Sequence, residues 1–166
     1  LRTGGSYHPL VDVALVHYQF ETIHPYGDGN GRLGRLLVTL QLYDAEYLER
    51  PTLYLSEYLN RNKQTYIDRM EAVRTSGAWE DWLRFFVTGL KNQAREAVER
   101  TVDLRTLQRR YDEAYGDSSY ASARLARRLF ERPYFTASQA AQLLDVQSST
   151  AYRAIEALIQ DGVLEE

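Results

Sequence analysis

The stretch His24-Pro25-Tyr26-Gly27-Asp28-Gly29-Asn30-Gly31-Arg32-Leu33-Gly34-Arg35 decides how the rest of the chain is read. Gly27, Gly29 and Gly31 alternate, and glycine reaches φ > 0 and close backbone approach without steric cost. Beyond Gly31 the apolar residues Leu33, Leu36, Leu37 and Leu40 recur at helical spacing, so the glycine turn opens into a helix N-terminus. Such a terminus presents N–H groups without intrahelical acceptors and a positive dipole end, which together make an anion site. Arg32 and Arg35 are three apart and share a face, and guanidinium suits phosphate oxygens. Asp28 brings a hard carboxylate suited to Mg²⁺ on a di- or triphosphate. His24 is the side chain whose ordinary pKa suits general-base work near neutrality. Each feature alone is common as a turn, a structural histidine or a solvated helix face. In this order and within twelve residues they describe a nucleotide-using active site.

The same twelve residues resemble the signature of Fic domains, His-Pro-Phe-x-(Asp/Glu)-Gly-Asn-Gly-Arg-x-x-Arg, departing from it only at Tyr26, where the family usually carries Phe. The exchange keeps an aromatic anchor and adds a hydroxyl that needs a partner or water. Pro51 to Ser56, Tyr66 to Arg74 and Trp79-Glu80-Asp81-Trp82 also resemble the family, so that the likeness runs over roughly 9–110. It implies an all-α, Fic-type helical domain and a protein adenylyltransferase that moves AMP from ATP to a Ser, Thr or Tyr hydroxyl of a target protein. Carried onto this chain, His24 takes the proton of the target hydroxyl, and Asp28 holds Mg²⁺. Gly29, Asn30 and Gly31 cradle the phosphates, which Arg32 and Arg35 bind and neutralise. Tyr66 lies near the nucleotide base by resemblance. On physical grounds it reads equally as a core tyrosine, and the core reading is preferred. Phosphotransfer, removal of AMP, and a nucleotide-sensing, DNA-binding transcription regulator remain alternative readings of the same site.

The chain has 166 residues, 44% hydrophobic, a net charge of −3 and no cysteine. This is enough for one good core with a small appendage. The acidic balance argues against a broad electropositive surface. Absent cysteine excludes a disulfide framework and thiolate zinc sites and fits a cytoplasmic protein. No run approaches the roughly 18 apolar residues of a membrane span. Residues 1–9 read as a flexible lead-in, with His8 a cap or loop residue. Leu10 to Ile23 is apolar on most sides, which predicts a buried central helix delivering His24 at its end. His17 on that helix reads as a satisfied core histidine. The motif helix is expected from Gly31 to about Tyr47, and Ser56 as the N-cap of the next.

From Trp79 to Tyr115 the apolar stripe steps by three or four without proline, predicting one very long helix with a kink at Gly89 and a polar second half that bridges outward. The domains are therefore expected as 1–115, catalytic, and 116–166, a small helix-turn-helix. In the latter, helices are expected over Tyr120–Arg132, from a Thr136 cap to Leu144, and from Ser148 or Ser149 through Ile159. A strand is expected to start at Val163-Leu164, and the unit resembles a winged helix whose wing is incomplete. Its five arginines face seven acidic residues, net −2 between Asp117 and Glu166. DNA binding through 117–166 is therefore open beside homodimerisation or partner docking. The family's restraining motif, Ser/Thr-x-x-x-Glu-Gly/Asn, is absent between Leu1 and Glu166. With Leu1 in first place, the expectation is that such a helix and a target-docking flap lie upstream.

Overall fold

A computed structural model describes residues 7–116 and 118–165, so Leu1 to Ser6 of the expected lead-in lie outside the described residues, as do Asp117 and Glu166. Eight helices are present among the described residues, and no strand. They are α1 (Pro9–Ile23), α2 (Asn30–Asp44), α3 (Ser56–Arg61), α4 (Lys63–Ser76), α5 (Trp79–Tyr115), α6 (Ala121–Arg128), α7 (Ala137–Leu144) and α8 (Ser148–Gln160). The all-α class that the resemblance implied is the one observed among the described residues. Two compact units divide the chain, Leu1–Glu99 and Arg100–Glu166, and residues of α5 belong to both.

In the first unit α1 starts where His8 accepts the Leu10 N–H on Nδ1 at 3.3 Å, with Pro9 in the first turn, where its missing N–H costs nothing. Val13, Ala14, His17 and Tyr18 form its fully buried face, and Leu10, Val11, Leu15 and Val16 are half-buried. Trp82 of α5 lies wholly inside and donates its indole N–H to the Ala14 carbonyl at 3.1 Å, tying α5 to α1. Val38 and Leu42 of α2, with Leu53, Leu55, Leu59, Val73, Phe86 and Leu90, complete this core.

Two local expectations change, the end of α2 and the cap at Ser56. α2 stops at Asp44, short of Tyr47, because Glu46 takes a left-handed φ of 60° while the Glu46 and Tyr47 N–H groups close on the Tyr43 and Leu42 carbonyls. That is a Schellman ending without glycine, which no local signal announces. α5 runs unbroken through Gly89, where a Cβ would collide with the Tyr58 ring. This glycine serves close packing. Ser56 is the first residue of α3, with Leu55 at the cap position, and its hydroxyl is engaged elsewhere.

The second unit packs small residues of α6, α7 and α8 around Leu125, Leu144 and Leu158. Thr136 caps α7 as expected, reciprocally with Gln139 in a capping box. α6 ends at Arg128 rather than at Arg132, and the chain turns over 129–132 before Pro133, a residue that disfavours helix before it. Val163 and Leu164 do not begin a strand. Gly162 at φ 70° and the Val163 N–H bonded to the Leu158 carbonyl at 2.8 Å form a Schellman motif, and both residues drop onto the core as coil. Helix, short turn and helix thus follow one another from α7 to α8, and among the described residues a wing is not evident.

Candidate active site

The turn between α1 and α2 brings the motif together. α1 ends at His24, which adopts φ 50° and ψ 58° as a left-handed C-cap while its N–H bonds to the Phe20 carbonyl at 3.0 Å. This conformation is uncommon for a side chain bearing Cβ. It directs the chain away from the helix axis and leaves His24 exposed. The His24 Nδ1 lies 3.4 Å from the Glu21 carbonyl. A carbonyl only accepts, so this contact favours the tautomer with hydrogen on Nδ1 and leaves Nε2 as the basic nitrogen.

Asn30 organises the loop. It is buried, its Oδ1 accepts the Tyr26 N–H at 3.0 Å, and its Nδ2 donates to the Tyr26 carbonyl. The side chain thus clamps the loop. Gly29, at φ 85°, is the N-cap of α2 and makes no side-chain cap bond. The first N–H groups of α2 accordingly have no intrahelical acceptor. Of the three alternating glycines only Gly29 has positive φ. Gly31 is helical, and the Arg35 guanidinium covers the space a Cβ would use.

Asp28 is 94% exposed in its side chain. It accepts the Gly29 N–H at 2.6 Å and pairs with Arg32 at 3.3 Å. An exposed i,i+4 pair of this kind contributes little, so phosphate and metal can separate it readily. Among the described residues no group of three His, Asp or Glu side chains could hold a metal alone. The Asp28 carboxylate beside the helix terminus nonetheless fits Mg²⁺ bound jointly with phosphate oxygens. Arg35 is half-buried, and its Nε donates to Ser56 Oγ at 2.9 Å. It opens on a cavity of about 300 Å³ lined by Arg32, Leu36, Thr39, Tyr54 and Ser56, among others.

His17 and Tyr66 sit behind this front. His17 is 1% exposed, its Nδ1 is 3.2 Å from the Gly34 carbonyl, and its Nε2 is 3.2 Å from the Tyr66 hydroxyl. The geometry requires Nδ1–H to donate to Gly34 and Tyr66 to donate to Nε2. Burial is the main reason the His17 pKa falls to about 4, while the Gly34 bond works against it and Arg35 adds to it. His17 is a neutral core histidine, as its position on the apolar helix implied. Burial also raises the Tyr66 pKa, and its ring lies among Trp82 and Phe85. Tyr66 is thus packed against the core. Sequence reasoning missed Ser56 as the partner of Arg35 and the clamp made by Asn30. Only the second had a local signal, a lone amide directly after a left-handed glycine.

Residues 4–42 match the family model described as Fic/DOC family. Over 98 residues the chain is 32% identical to a protein adenylyltransferase Fic of Aedes aegypti, which covers 59% of this chain and 17% of that protein. A protein adenylyltransferase Fic of Drosophila virilis is 50% identical over 44 residues, 26% of this chain and 9% of that protein. The chain therefore spans less than a fifth of the length of these curated relatives. Fold and site together define a helical domain similar to Fic/DOC domains across its motif.

Proposed function

We propose that this chain carries the catalytic part of a Fic-type protein adenylyltransferase. The observation that carries the reading is the uncapped N-terminus of α2, with Asp28, Arg32 and Arg35 around it and His24 exposed at the facing helix end. ATP binds with its phosphates on the Gly29, Asn30 and Gly31 backbone, and Arg32 and Arg35 neutralise them. Mg²⁺, held by Asp28, supplies charge neutralisation on the phosphates. His24 accepts the proton of a target Ser, Thr or Tyr hydroxyl as that oxygen bonds to the α-phosphorus. The bond from the α-phosphorus to the bridging oxygen breaks, and pyrophosphate leaves. Positioning and electrostatics suffice for such a transfer. Tyr66 supports the site through His17 in this reading, and contact with the base is secondary.

The test follows the leaving group in a cell extract supplemented with this protein and ATP. Pyrophosphate release that depends on Mg²⁺ and is lost in His24→Ala supports the reading. Release of ADP in its place assigns phosphotransfer to the same site, and no release from ATP rejects both.

We read residues 1–115 as the catalytic domain and 116–166 as an accessory helix-turn-helix of a cytoplasmic protein. No helix among the described residues is long and apolar enough to cross a membrane. A DNA contact through α8 draws on its exposed Gln147, Ser148, Ser149, Thr150 and Arg153. Two arginines are engaged elsewhere: Arg127 donates to the Gly116 and Ser118 carbonyls, and Arg128 pairs with Glu131. Homodimerisation through the same unit is the competing use.

A further inference from the structure

One face of α2 lacks side chains at two positions a helical turn apart, Gly31 and Gly34, and two charged groups fill the space. A Cβ on Gly31 would meet the Arg35 guanidinium at 3.0 Å. A Cβ on Gly34 would overlap Glu21 Oε1 and lie 3.2 Å from its carboxyl carbon. The guanidinium and the carboxyl group of α1 thus occupy neighbouring places on one glycine strip, beneath the phosphate cradle. Glu21 Oε1 is buried and has no hydrogen-bond partner among the described residues. Burial raises the Glu21 pKa, and Arg35 and then His24 act in the opposite direction.

The groups that act electrostatically with Glu21 are Arg35 from α2, His24 at the end of its own helix, and Tyr66 from α4, behind which lies His17. His17 and Tyr66 are neutral chiefly because both are buried, and they bond to each other. The permanent cation among them is Arg35, whose guanidinium is charged at any working pH.

We propose that Glu21 is a positioning residue, the internal counter-charge that seats the Arg35 guanidinium on the glycine strip and sets how strongly it takes phosphate. This rests on Arg35 being a phosphate ligand. An ionised carboxyl with a buried, unpartnered oxygen is costly unless a cation faces it. A phosphate that engages Arg35 takes up that cation and leaves Glu21 uncompensated, so binding of the anion draws a proton onto Glu21. The carboxyl oxygen gains a hydrogen, and no other bond changes. Affinity for the phosphate is therefore weakest where Glu21 is ionised and improves as it protonates.

The test measures Mg·ATP binding from pH 5 to 8.5 for the parent chain and Glu21→Gln. The variant-to-parent ratio cancels the titration of ATP itself. At pH 8 the variant binds about three- to tenfold tighter, the range expected of one unit charge about 4 Å away and screened as in water. The advantage shrinks toward the acid end. A ratio that stays at one, or that is independent of pH, overturns the proposal. Thermal unfolding of the parent, Glu21→Gln, Arg35→Gln and the double variant tests the pair without nucleotide. A coupling of about 2–4 °C in melting temperature is expected, and additivity contradicts it. Should no form bind ATP, the nucleotide reading falls, and this unfolding cycle alone judges Glu21. Should Glu21→Gln fail to fold, Arg35→Gln must lose more stability at pH 8 than at pH 5, and equal losses reject the pairing.

Discussion

Two helix–turn–helix junctions in this molecule begin alike and end differently. Both α1 and α7 finish on a non-glycine residue in the left-handed region, His24 at φ 50° and Asp145 at φ 54°. After Asp145 the chain needs only Val146 and Gln147 before α8, Val146 packs on the core, and its N–H bonds to the Ala141 carbonyl at 3.0 Å. After His24 the chain carries five residues, Pro25 to Gly29, most of them exposed and held by the Asn30 side chain. The α7–α8 turn seats Val146 on the core and joins two helices. The α1–α2 turn leaves a carboxylate, an imidazole and a helix terminus open to solvent on a rigid support. Strain at a helix end is thus no sign of function by itself, and what the following residues do with their polar groups is.

The comparison breaks at its strongest point if His24 can be removed without consequence. His24→Ala should lower AMP transfer by about 10²–10⁴-fold, as loss of a general base does, while ATP binding measured by calorimetry persists. Activity within a few-fold of the parent would return His24 to the purely structural role of Asp145.

Support for the two junctions differs as well. Trp82→Ala should cost the first unit about 3–5 kcal/mol, because it empties a fully buried site and removes the indole bond to the Ala14 carbonyl. Chemical unfolding followed by hydrogen exchange should show the loss in α1 and α5 but not in α7 and α8. Uniform loss across the chain would mean that the units do not fold separately.

Acid should act on the first junction through His17. Its folded pKa of about 4 lies below the unfolded value near 6.5, so the unfolded chain binds the proton more readily between them. Stability is full above about pH 6.5 and falls as pH drops toward 4, by up to about 3 kcal/mol. Glu21 acts in the opposite sense, since its raised folded pKa favours the fold as it protonates. A urea titration from pH 7.5 to 4 should show the loss in the parent and a smaller one in His17→Gln. The same slope in both would remove His17 from the account.

The smallest effect belongs to the second unit. Thr136→Ala removes half of the α7 capping box and should cost about 1 kcal/mol, visible in the melting of α7 and α8 and silent in ATP binding. A change in nucleotide affinity would show that the two regions are coupled.

What could be read in the sequence follows the same division. His24, the glycine turn and the arginine spacing are local, so the twelve-residue motif carried them, as did the Thr136 cap. The roles of Ser56, Gly89 and Gly34 were hidden because each is defined by a partner from a distant helix: Arg35, Tyr58 and Glu21. Nothing near Glu46 announced the left-handed turn that ends α2. Alternation at Val163-Leu164 was too short to distinguish a strand from a pair of residues covering a core. Glu21 did leave a trace, as one of two carboxylates, with Asp12, on the largely apolar central helix, three residues before the candidate base.

The claim at the centre of this account is AMP transfer at the α1–α2 turn, and ATP labelled separately at the α- and γ-phosphates tests it most directly. Incubated with Mg²⁺ and a cell extract, the parent protein should move the α-label onto protein hydroxyls, and His24→Ala should not. Label arriving from the γ-phosphate, or equal α-labelling by the His24→Ala variant, would contradict it.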